Sequence, residues 1–552
     1  MIVLGERFKK AIGVEGKFVD TVWPMIQYCF ANIFMGGGGY IISMYFTVFL
    51  TNVVGMELRY ATFIIMIATI WDGINDPLMG IITDRTRSKY GRHRRYLLLS
   101  IPPLVISYTM LWNSFGLDAK EHPTACVMYY AFAYILYKTA YTMVDVPHTA
   151  MLPTLAPEYN KRTQYTSVSY IFNSVGMVPS YIILLVFLSV FGSSDKLSEN
   201  SKMPFLLTGI VLSIVYACSI FATFKTCKEP SSLNEKLPPL DLKSAIDEYV
   251  QVFRNKSFRD YFSMSFFWQM ARSFYSTTNV YYITYLANLY KYYPIFNTFA
   301  GVFESLAFPL NYALTMKKGK SKCGAVVTPF MIIGLGIALF VKPVTPGSSY
   351  MVTLVLMILG GAVLYPFGMS GLGFVGNNVL PDITDVDELI TGRRREGVIG
   401  TFNTMVKQVT GGVMTFLVGL ILDGFGLVTG NEGVYIEQTD SALIGIRLCI
   451  SVLPMLSALV AWLMLKRFKM TKDDHTMIRA AIATKHKYGS VTLTKEEKER
   501  CELLTGYKFE KTWLGKDNDE SEGHTLDKND DGKYIILVER EAELKRLISE
   551  AE

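Results

Sequence analysis

The chain has 552 residues, of which 50% are hydrophobic and only 18% are charged. Soluble proteins average about 25% charged residues, so apolar surface of this chain is expected to face lipid. A net charge of +6 is compatible with nucleic-acid binding, but the basic residues cluster in loops between apolar segments. We therefore predict a membrane protein with lipid around it and no nucleic-acid partner.

Neither a signal peptide nor a cysteine framework is predicted. Residues 1–17 are polar and mildly basic, without a short apolar core and a small-residue cleavage site. The seven cysteines lack metal-ligand spacing, and most lie in apolar segments, where a free thiol behaves as a small hydrophobic group.

Apolar segments long enough for membrane helices recur along residues 22–466, since about 20 helical residues cross a hydrocarbon core of about 30 Å. We predict twelve spans, at 22–52, 60–83, 96–116, 124–153, 168–192, 204–225, 259–288, 294–316, 324–342, 350–380, 399–423 and 442–466. The predicted fold class is an all-α membrane protein. Its predicted parts are six-helix bundles at 1–225 and 257–466, a linker at 226–256 and a tail at 467–552.

Basic residues are concentrated in the loops after even-numbered spans. They are Arg85, Arg87, Lys89, Arg92, Arg94, Arg95, Lys161, Arg162, Lys317, Lys318, Lys320, Lys322, Arg393, Arg394 and Arg395. By the positive-inside rule, these loops, the linker, the tail and both termini are cytoplasmic. The loop at 424–440 agrees, because it contains no Lys or Arg. We predict a multi-pass protein of the plasma or inner membrane.

The second predicted span carries two acids and an amide. Asp72, Asn75 and Asp76 are spaced i, i+3 and i+4, so they share one helical face. An ionised group at the bilayer centre costs about 2.5–3.5 kcal/mol, which makes each one a candidate site residue. Hard oxygen ligands suit sodium or a proton. The alternative is that Asp76 and Pro77 only mark a helix end, which the apolar run Leu78–Ile82 disfavours.

The fourth predicted span places Lys138, Thr142 and Asp145 on one face. Lys138 is able to pair with Asp145, and purely structural neutralisation is an equal alternative for Lys138. Thr142 is expected to add a hydroxyl oxygen to the cation cluster. His148 follows one turn later and is interpreted as a packed or hydrogen-bonded residue in preference to a proton carrier.

Further charges lie in later spans. Arg272 and Glu304 either pair with each other or serve a site, and Lys407 lies too deep in its span to reach the interface easily, so contact with Asp145 or a substrate is expected. Gly36–Gly39 in the first span permit either close helix packing or local unwinding at a cavity, and packing is slightly favoured.

Three motifs carry a family resemblance. They are residues 71–80 with 86–92 (WDGINDPLMG and TRSKYGR), residues 141–147 (YTMVDVP), and residues 382–389 with 391–397 (DITDVDEL and TGRRREG). Together they resemble the glycoside-pentoside-hexuronide:cation symporters, a family of the major facilitator superfamily. The resemblance covers about residues 20–470.

The resemblance implies roles for named residues. Asp72, Asn75, Asp76 and Thr142 would line the cation site, Asp145 would bind sugar hydroxyls, and Lys407 would lie near both sites. Tyr141, Thr149, Lys138 and Arg272 are added to the predicted substrate site. Asp382 and Asp385 are expected as loop acids that close the cytoplasmic side with basic loop residues such as Arg87. Departures from the melibiose-type pattern occur at Gly36, Tyr170 and Thr149, so its galactoside contacts are not reproduced.

The predicted function is cation-coupled symport of a sugar, glycoside or hexuronide by alternating access, with sodium or a proton as the coupling ion and no other cofactor. The melibiose-type pattern has a sugar-binding Asp where this chain has Gly36. Without that acid, and with Lys138 and Arg272 in the spans, the expected cavity is more positive, so an acidic substrate such as a hexuronide and a neutral glycoside are kept as equal alternatives. A lipid or lysolipid carrier and a polytopic sensor are the alternatives. A membrane enzyme is not predicted, because the six histidines form no metal box. The protein is expected to be a monomer.

The tail carries local signals only. Thr494 and Glu497 have the spacing of a capping box that opens a short helix, and residues 539–550 read as a second charged helix. Residues 527–532 resemble the start of an EF-hand loop, but Val538 stands where the loop needs Glu, so no calcium site is predicted.

Overall fold

The computed structural model describes residues 18–113, 115–117, 119, 121–155, 159–191, 201–229, 250–289, 293–343, 351–393, 395–428, 437–516, 524–526 and 534. These residues are almost entirely helical, and the strands among them are two residues long, Val491–Thr492 paired in parallel with His524–Thr525. The predicted all-α class is confirmed.

The chain forms two compact units. The first comprises Met1–Leu240 and Gly411–Gly445, and the second comprises Asp241–Thr410 and Ile446–Glu552. The predicted boundaries of the two bundles, the linker and the tail stay predictions.

Helices of the first unit are α1 (Phe18–Cys29), α2 (Asn32–Val48), α3 (Leu58–Arg85), α4 (Arg94–Leu99), α5 (Ile101–Leu111), α6 (Pro123–Leu155), α7 (Tyr159–Val190) and α8 (Lys202–Thr226). A π-helical turn, Phe49–Val53, extends α2. Helices α14 (Glu396–Gly424) and α15 (Asp440–Arg447) each contribute residues to both units.

Helices of the second unit are α9 (Lys256–Tyr281), α10 (Tyr293–Lys318), α11 (Lys320–Ile337), α12 (Met351–Met357), α13 (Tyr365–Thr391), α16 (Leu453–Leu465), α17 (Lys472–Tyr488) and α18 (Lys495–Thr505). π-Helical segments follow α9 at Tyr282–Leu286, join α12 to α13 at Ile358–Leu364, and join α15 to α16 at Leu448–Val452. Short 3-10 turns occur at Ala338–Phe340 and Phe509–Lys511.

Within the part of the chain that the structure describes, eight helical segments are long and apolar enough to cross a membrane. The other four of the twelve predicted spans correspond to α5, α6, α9 and α10. Of these, α5 is short, whereas the other three carry polar or charged side chains that lower their average hydropathy. The number of twelve spans therefore stays a prediction.

Helix α3 continues through Asp76 and Pro77 to Arg85. The two residues therefore lie inside a helix, and the alternative that they mark a helix end is wrong. Proline removes one main-chain hydrogen bond, yet the residues on both sides of Pro77 are helical.

Glycines form a close contact between α2 and α7. A Cβ atom at Gly36 would collide with the main chain of Asn173, and one at Gly176 would collide with the main chain of Ile33. The packing interpretation is thus confirmed for Gly36, the position aligned with a sugar-binding acid in melibiose-type sequences. No side chain fits at that position here.

Helix α13 is longer than predicted. It runs through Pro381 to Thr391 and ends at Gly392, whose φ of 69° is left-handed and favours glycine. Asp382 and Asp385 were expected in a loop after residue 380, and this placement is wrong because both lie on the helix.

The tail residues that the structure describes belong to the second unit. Helix α17 opens with a capping box formed by Thr471 and Asp474, and α18 opens with the predicted capping box of Thr494 and Glu497, which is confirmed. Residues 527–532 and the helix predicted at 539–550 lie outside the described residues.

Candidate functional site

Asp72 and Asp76 of α3 meet Thr142 of α6. These three residues, together with Asn75 on the same face of α3, are called the acidic cluster here; Asp72 and Thr142 are buried, and Asn75 and Asp76 are half-buried. Thr142 Oγ1 donates to Asp76 Oδ1 at 2.9 Å and lies 3.4 Å from Asp72 Oδ1. Asp72 is only 5% exposed. The shared helical face and the placement of Thr142 beside both acids agree with the sequence prediction, whereas the role of the cluster stays a prediction.

Lys138 forms an ion pair with Asp72, not with Asp145. Its Nζ atom lies 2.8 Å from Asp72 Oδ2, and it also faces the rings of Tyr134 and Tyr141, with Nζ 6.0 and 5.9 Å from their centroids. The pair with Asp145 that the sequence allows is not formed, because Asp145 is two turns or about 10 Å along the helix, whereas Asp72 lies opposite Lys138 on α3. Spacing within one helix could not reveal this partner.

A hydrogen bond next to the ion pair sets the register of α3 against α6. Trp71 Nε1 donates to Thr139 Oγ1 at 2.9 Å, and these residues immediately adjoin Asp72 and Lys138. Sequence analysis missed this contact, since neither side chain is charged. It fixes where the acids of α3 stand relative to α6.

Asp145 is the acid of α6 that remains available. No residue described by the structure forms a hydrogen bond or ion pair with its carboxylate, although Asp72, Asp76 and Lys138 all act on it electrostatically. Tyr141, one turn earlier, packs against Phe34 with ring centroids 5.4 Å apart, and Thr149, one turn later, is exposed. The amide nitrogen of Asn75 is buried without a hydrogen-bond partner among the described residues.

His148 is fully packed. Its Nε2 is 2.9 Å from the main-chain oxygen of Tyr28, whose ring stacks on the imidazole with centroids 4.1 Å apart. Tyr28 in turn donates its hydroxyl to the main-chain oxygen of His148 at 3.1 Å. These contacts agree with the packed interpretation.

The second unit contains cations of its own, an exposed Arg272 and a half-buried Lys407. Lys407 Nζ on α14 lies 5.8 Å from the ring centroid of Trp268 on α9, and Arg272 stands one turn after Trp268. Trp268 Nε1 is buried without a hydrogen-bond partner among the described residues. Arg272 and Glu304 form no ion pair within 4 Å in the described part of the chain, although Arg272 acts on Glu304 electrostatically. Whether the two residues serve the structure or a site stays open.

The acids at the end of α13 have partners within the second unit. Lys320 Nζ contacts both carboxylate oxygens of Asp382, at 2.8 and 2.6 Å. His475 on α17 lies 2.7 Å from Asp385 and 3.6 Å from Asp382. Lys320 is one of the basic loop residues expected near these acids, but the histidine of the tail was missed. A gating role for Arg87, Asp382 and Asp385 stays a prediction.

Glu229, just beyond α8, organises the basic loop before α4. Its Oε2 accepts main-chain hydrogen bonds from His93 and Arg94 at 2.9 Å each, and its Oε1 is 2.8 Å from His93 Nδ1. Burial raises the pKa of Glu229, but these hydrogen bonds outweigh it and lower the pKa below its usual value. A Cβ at Gly91 would collide with the Glu229 side chain. Sequence analysis missed this contact, because 136 residues separate the partners.

Long apolar helices that hold a buried acid paired with a lysine are typical of a membrane transport protein. Comparison with known proteins agrees, since residues 28–472 match the model of the MFS/sugar transport protein family. The chain belongs to that family, which is one of transporters. The resemblance to the glycoside-pentoside-hexuronide:cation symporters is confirmed.

Relatives in bacteria are similar along most of their length. An uncharacterized symporter of Synechocystis sp. is 25% identical over 523 residues, covering 80% of this chain and 92% of the relative. The isoprimeverose transporter of Lactiplantibacillus pentosus is 23% identical over 451 residues, covering 81% and 88%.

A solved structure shows the same fold. The crystal structure of the nucleoside transporter NupG superimposes with a TM-score of 0.55 at 12% identity, covering 82% of this chain and 99% of that one. At this identity the similarity concerns the fold alone, which is the major facilitator fold.

Proposed function

We propose that the protein is a secondary active transporter that couples uptake of a sugar, glycoside or hexuronide to sodium or a proton. It works by alternating access in the plasma or inner membrane, as a monomer with both termini in the cytoplasm. The family match and the names of the relatives, which include an isoprimeverose transporter and a lactose permease, support a sugar as the solute.

The acidic cluster is the observation that carries the proposal. Asp72 and Asp76 are held next to each other by Thr142, and two adjacent carboxylates in a protein interior repel each other unless positive charge compensates them. A cation that binds one conformation better raises the population of that conformation. If the solute prefers the same conformation, each ligand raises the observed affinity of the protein for the other by the same factor. Asp145, without a protein partner among the described residues, offers acceptor oxygens to solute hydroxyl groups.

The second unit supports an acidic solute. Arg272, Lys407 and the indole N–H of Trp268 are all donors, and two of them carry positive charge. A carboxylate is the group that such a set binds most strongly. Lys138 adds no net positive charge for an acidic solute, because Asp72 neutralises it. A hexuronide is therefore the solute that we favour over a neutral glycoside.

Uptake into proteoliposomes tests the proposal. Purified protein is reconstituted, and accumulation of a radiolabelled glucuronide and its neutral glucoside is measured with an inward gradient of protons, of sodium, or of neither. We expect accumulation of the glucuronide with one cation gradient and little of the glucoside. Transport of the glucoside alone would contradict the acidic solute, and transport of a lysophospholipid without any sugar would favour the lipid carrier.

A further inference from the structure

We propose that Lys138 makes the acidic cluster insensitive to sodium, because its ammonium group occupies the position where a sodium ion would contact Asp72. This inference rests on the proposed function and deepens it, since it identifies Lys138 as the residue that selects the coupling ion. Of the two candidate ions, it leaves the proton.

The carboxylate of Asp72 already has neighbours at both oxygens. Oδ2 accepts a hydrogen bond from Lys138 Nζ at 2.8 Å, and Oδ1 lies 3.4 Å from Thr142 Oγ1, which donates to Asp76. Hard cations are bound by oxygen ligands, and here one of the two carboxylates of the cluster is taken by an ammonium group. A sodium ion on Asp72 would stand against a like charge at close range.

Burial makes this exclusion effective. The side chains of Asp72 and Lys138 are 7% and 20% exposed, so water and salt screen the charges little. The ammonium group is also covalently attached to α6, whereas a sodium ion has to be recruited from solution. A tethered cation competes as an intramolecular ligand at high effective concentration.

Neighbouring contacts hold Lys138 in this position. The hydrogen bond from Trp71 to Thr139 fixes the two helices at the adjoining residues. The rings of Tyr134 and Tyr141 flank the ammonium group, and aromatic faces attract cations. The lysine is therefore a built-in part of the cluster and not a flexible surface residue.

Sodium itself is the probe of the experiment, so no transported solute has to be known. Equilibrium binding of radioactive sodium to purified protein is measured, together with the melting temperature in sodium chloride and in choline chloride at equal ionic strength. The wild type is expected to show no saturable binding and equal melting temperatures. Lys138→Met, which removes the charge and keeps the length, is expected to gain saturable binding and a sodium-dependent rise in melting temperature.

Three controls accompany this variant. Lys138→Arg keeps the positive charge and should stay insensitive to sodium. Lys317→Met removes an exposed lysine at the end of α10 and should also stay insensitive. Adding Asp72→Asn to Lys138→Met should abolish the acquired binding, because the carboxylate that receives sodium is lost.

Saturable sodium binding by the wild type would overturn the proposal, and so would a folded Lys138→Met protein that binds no sodium. Folding is checked by monodispersity in size-exclusion chromatography, and Lys138→Ala replaces the methionine variant if that variant aggregates. Failure of the proposed function is distinguishable, since it appears as absent solute uptake by the wild type and leaves the sodium measurements unchanged.

Discussion

Thr142 connects α6 to both acids of α3 through one hydroxyl group. An ionised side chain at the bilayer centre costs about 2.5–3.5 kcal/mol of insertion free energy. Two such acids on one helical face therefore destabilise the protein unless their charge is compensated. Their hydrogen-bonded arrangement, with the ammonium group of Lys138 on one of them, concentrates the negative charge near Asp76.

Asp76→Asn removes this charge while it keeps an oxygen that accepts from Thr142. We expect loss of cation-driven accumulation with solute exchange retained, since coupling energies of about 1–3 kcal/mol correspond to roughly 5–150-fold in affinity. Accumulation against a gradient and counterflow in proteoliposomes measure the two activities. The control is Asp440→Asn, an exposed acid in the first turn of α15. Unchanged accumulation by Asp76→Asn would refute the assignment.

Glu229→Ala removes the carboxylate that accepts hydrogen bonds from His93 and Arg94. Hydrogen bonds to a charged group contribute about 1.5–3 kcal/mol, so we expect a clear fall in the melting temperature of the purified protein. Glu437→Ala, at an exposed position, should change it little. Equal melting temperatures for the wild type and Glu229→Ala would show that this contact does not stabilise the loop.

Acid should weaken the same contact. The pKa of Glu229 is lowered in the folded protein, so its stabilising contribution is fully present above the unfolded value of about 4.5 and is lost as the pH falls through the lowered folded value. The difference in melting temperature between wild type and Glu229→Gln should therefore be largest near neutral pH and shrink below about pH 4.5. A constant difference across this range would contradict the assignment.

Local spacing explains why part of the site was predictable. Asp72, Asn75 and Asp76 follow one another within a single helical turn, so the 3.6-residue period places them on one face without knowledge of the fold. The partners of Lys138 and Glu229 lie 66 and 136 residues away in the chain. Such pairs depend on which helices pack together, and the periodicity of one helix carries no information about its neighbour.

Helices α2 and α7 approach each other through glycine main chain. At Gly36 and Gly176 the neighbouring helix occupies the space that a Cβ atom would need. The run of four glycines predicted either packing or unwinding, and only the position of α7 distinguishes the two. The end of α13 was also not predictable from its apolar pattern. The helix continues eleven positions beyond Pro381 to the left-handed Gly392, through residues that are too polar to indicate a membrane helix.

Gly36→Ala should destabilise the first unit, whereas Gly39→Ala should not. The added methyl group at Gly36 would collide with the main chain of Asn173, which cannot move freely, and overpacking of this kind costs about 1–3 kcal/mol. At Gly39 no atom lies within 4 Å of the new methyl group, and alanine is the better helix former. Thermal unfolding of the two purified variants compares them directly, and equal stability would contradict the close contact.

Tail residues up to Leu514 belong to the core of the second unit. One hydrophobic core includes Val252 and Phe258, residues of α13 such as Val386 and Leu389, and tail residues that the structure buries together with them: Met477, Ile478, Ala481, Ile482, Val491, Leu493, Cys501, Leu504, Phe509 and Leu514. Polar contacts reinforce it, since Lys256 Nζ donates to the main-chain oxygen of Leu503 at 3.0 Å and Ser257 Oγ donates to that of Leu504 at 2.7 Å. The sequence predicts only a cytoplasmic tail with local helix signals, because the apolar residues of α17 and α18 are scattered among many charged ones.

Truncation after Met470 should therefore impair folding of the whole protein. It exposes the apolar faces of α9 and α13 and removes His475 from Asp385. Truncation after Lys516 keeps α17 and α18 and is the matched control. Expression level and monodispersity in size-exclusion chromatography compare the two proteins. A monodisperse protein with wild-type melting temperature after the shorter truncation would show that the tail is dispensable.

The shared core also has a consequence for biosynthesis. Its first member is at position 252 and its last at position 514, and a ribosome that adds about 5–20 residues per second needs roughly 13–50 s to cover that distance. Throughout this interval the nascent second unit presents an apolar surface that its own chain has not yet covered. Chaperones are expected to bind the protein at this stage, and a premature stop codon late in the gene would leave that surface exposed permanently.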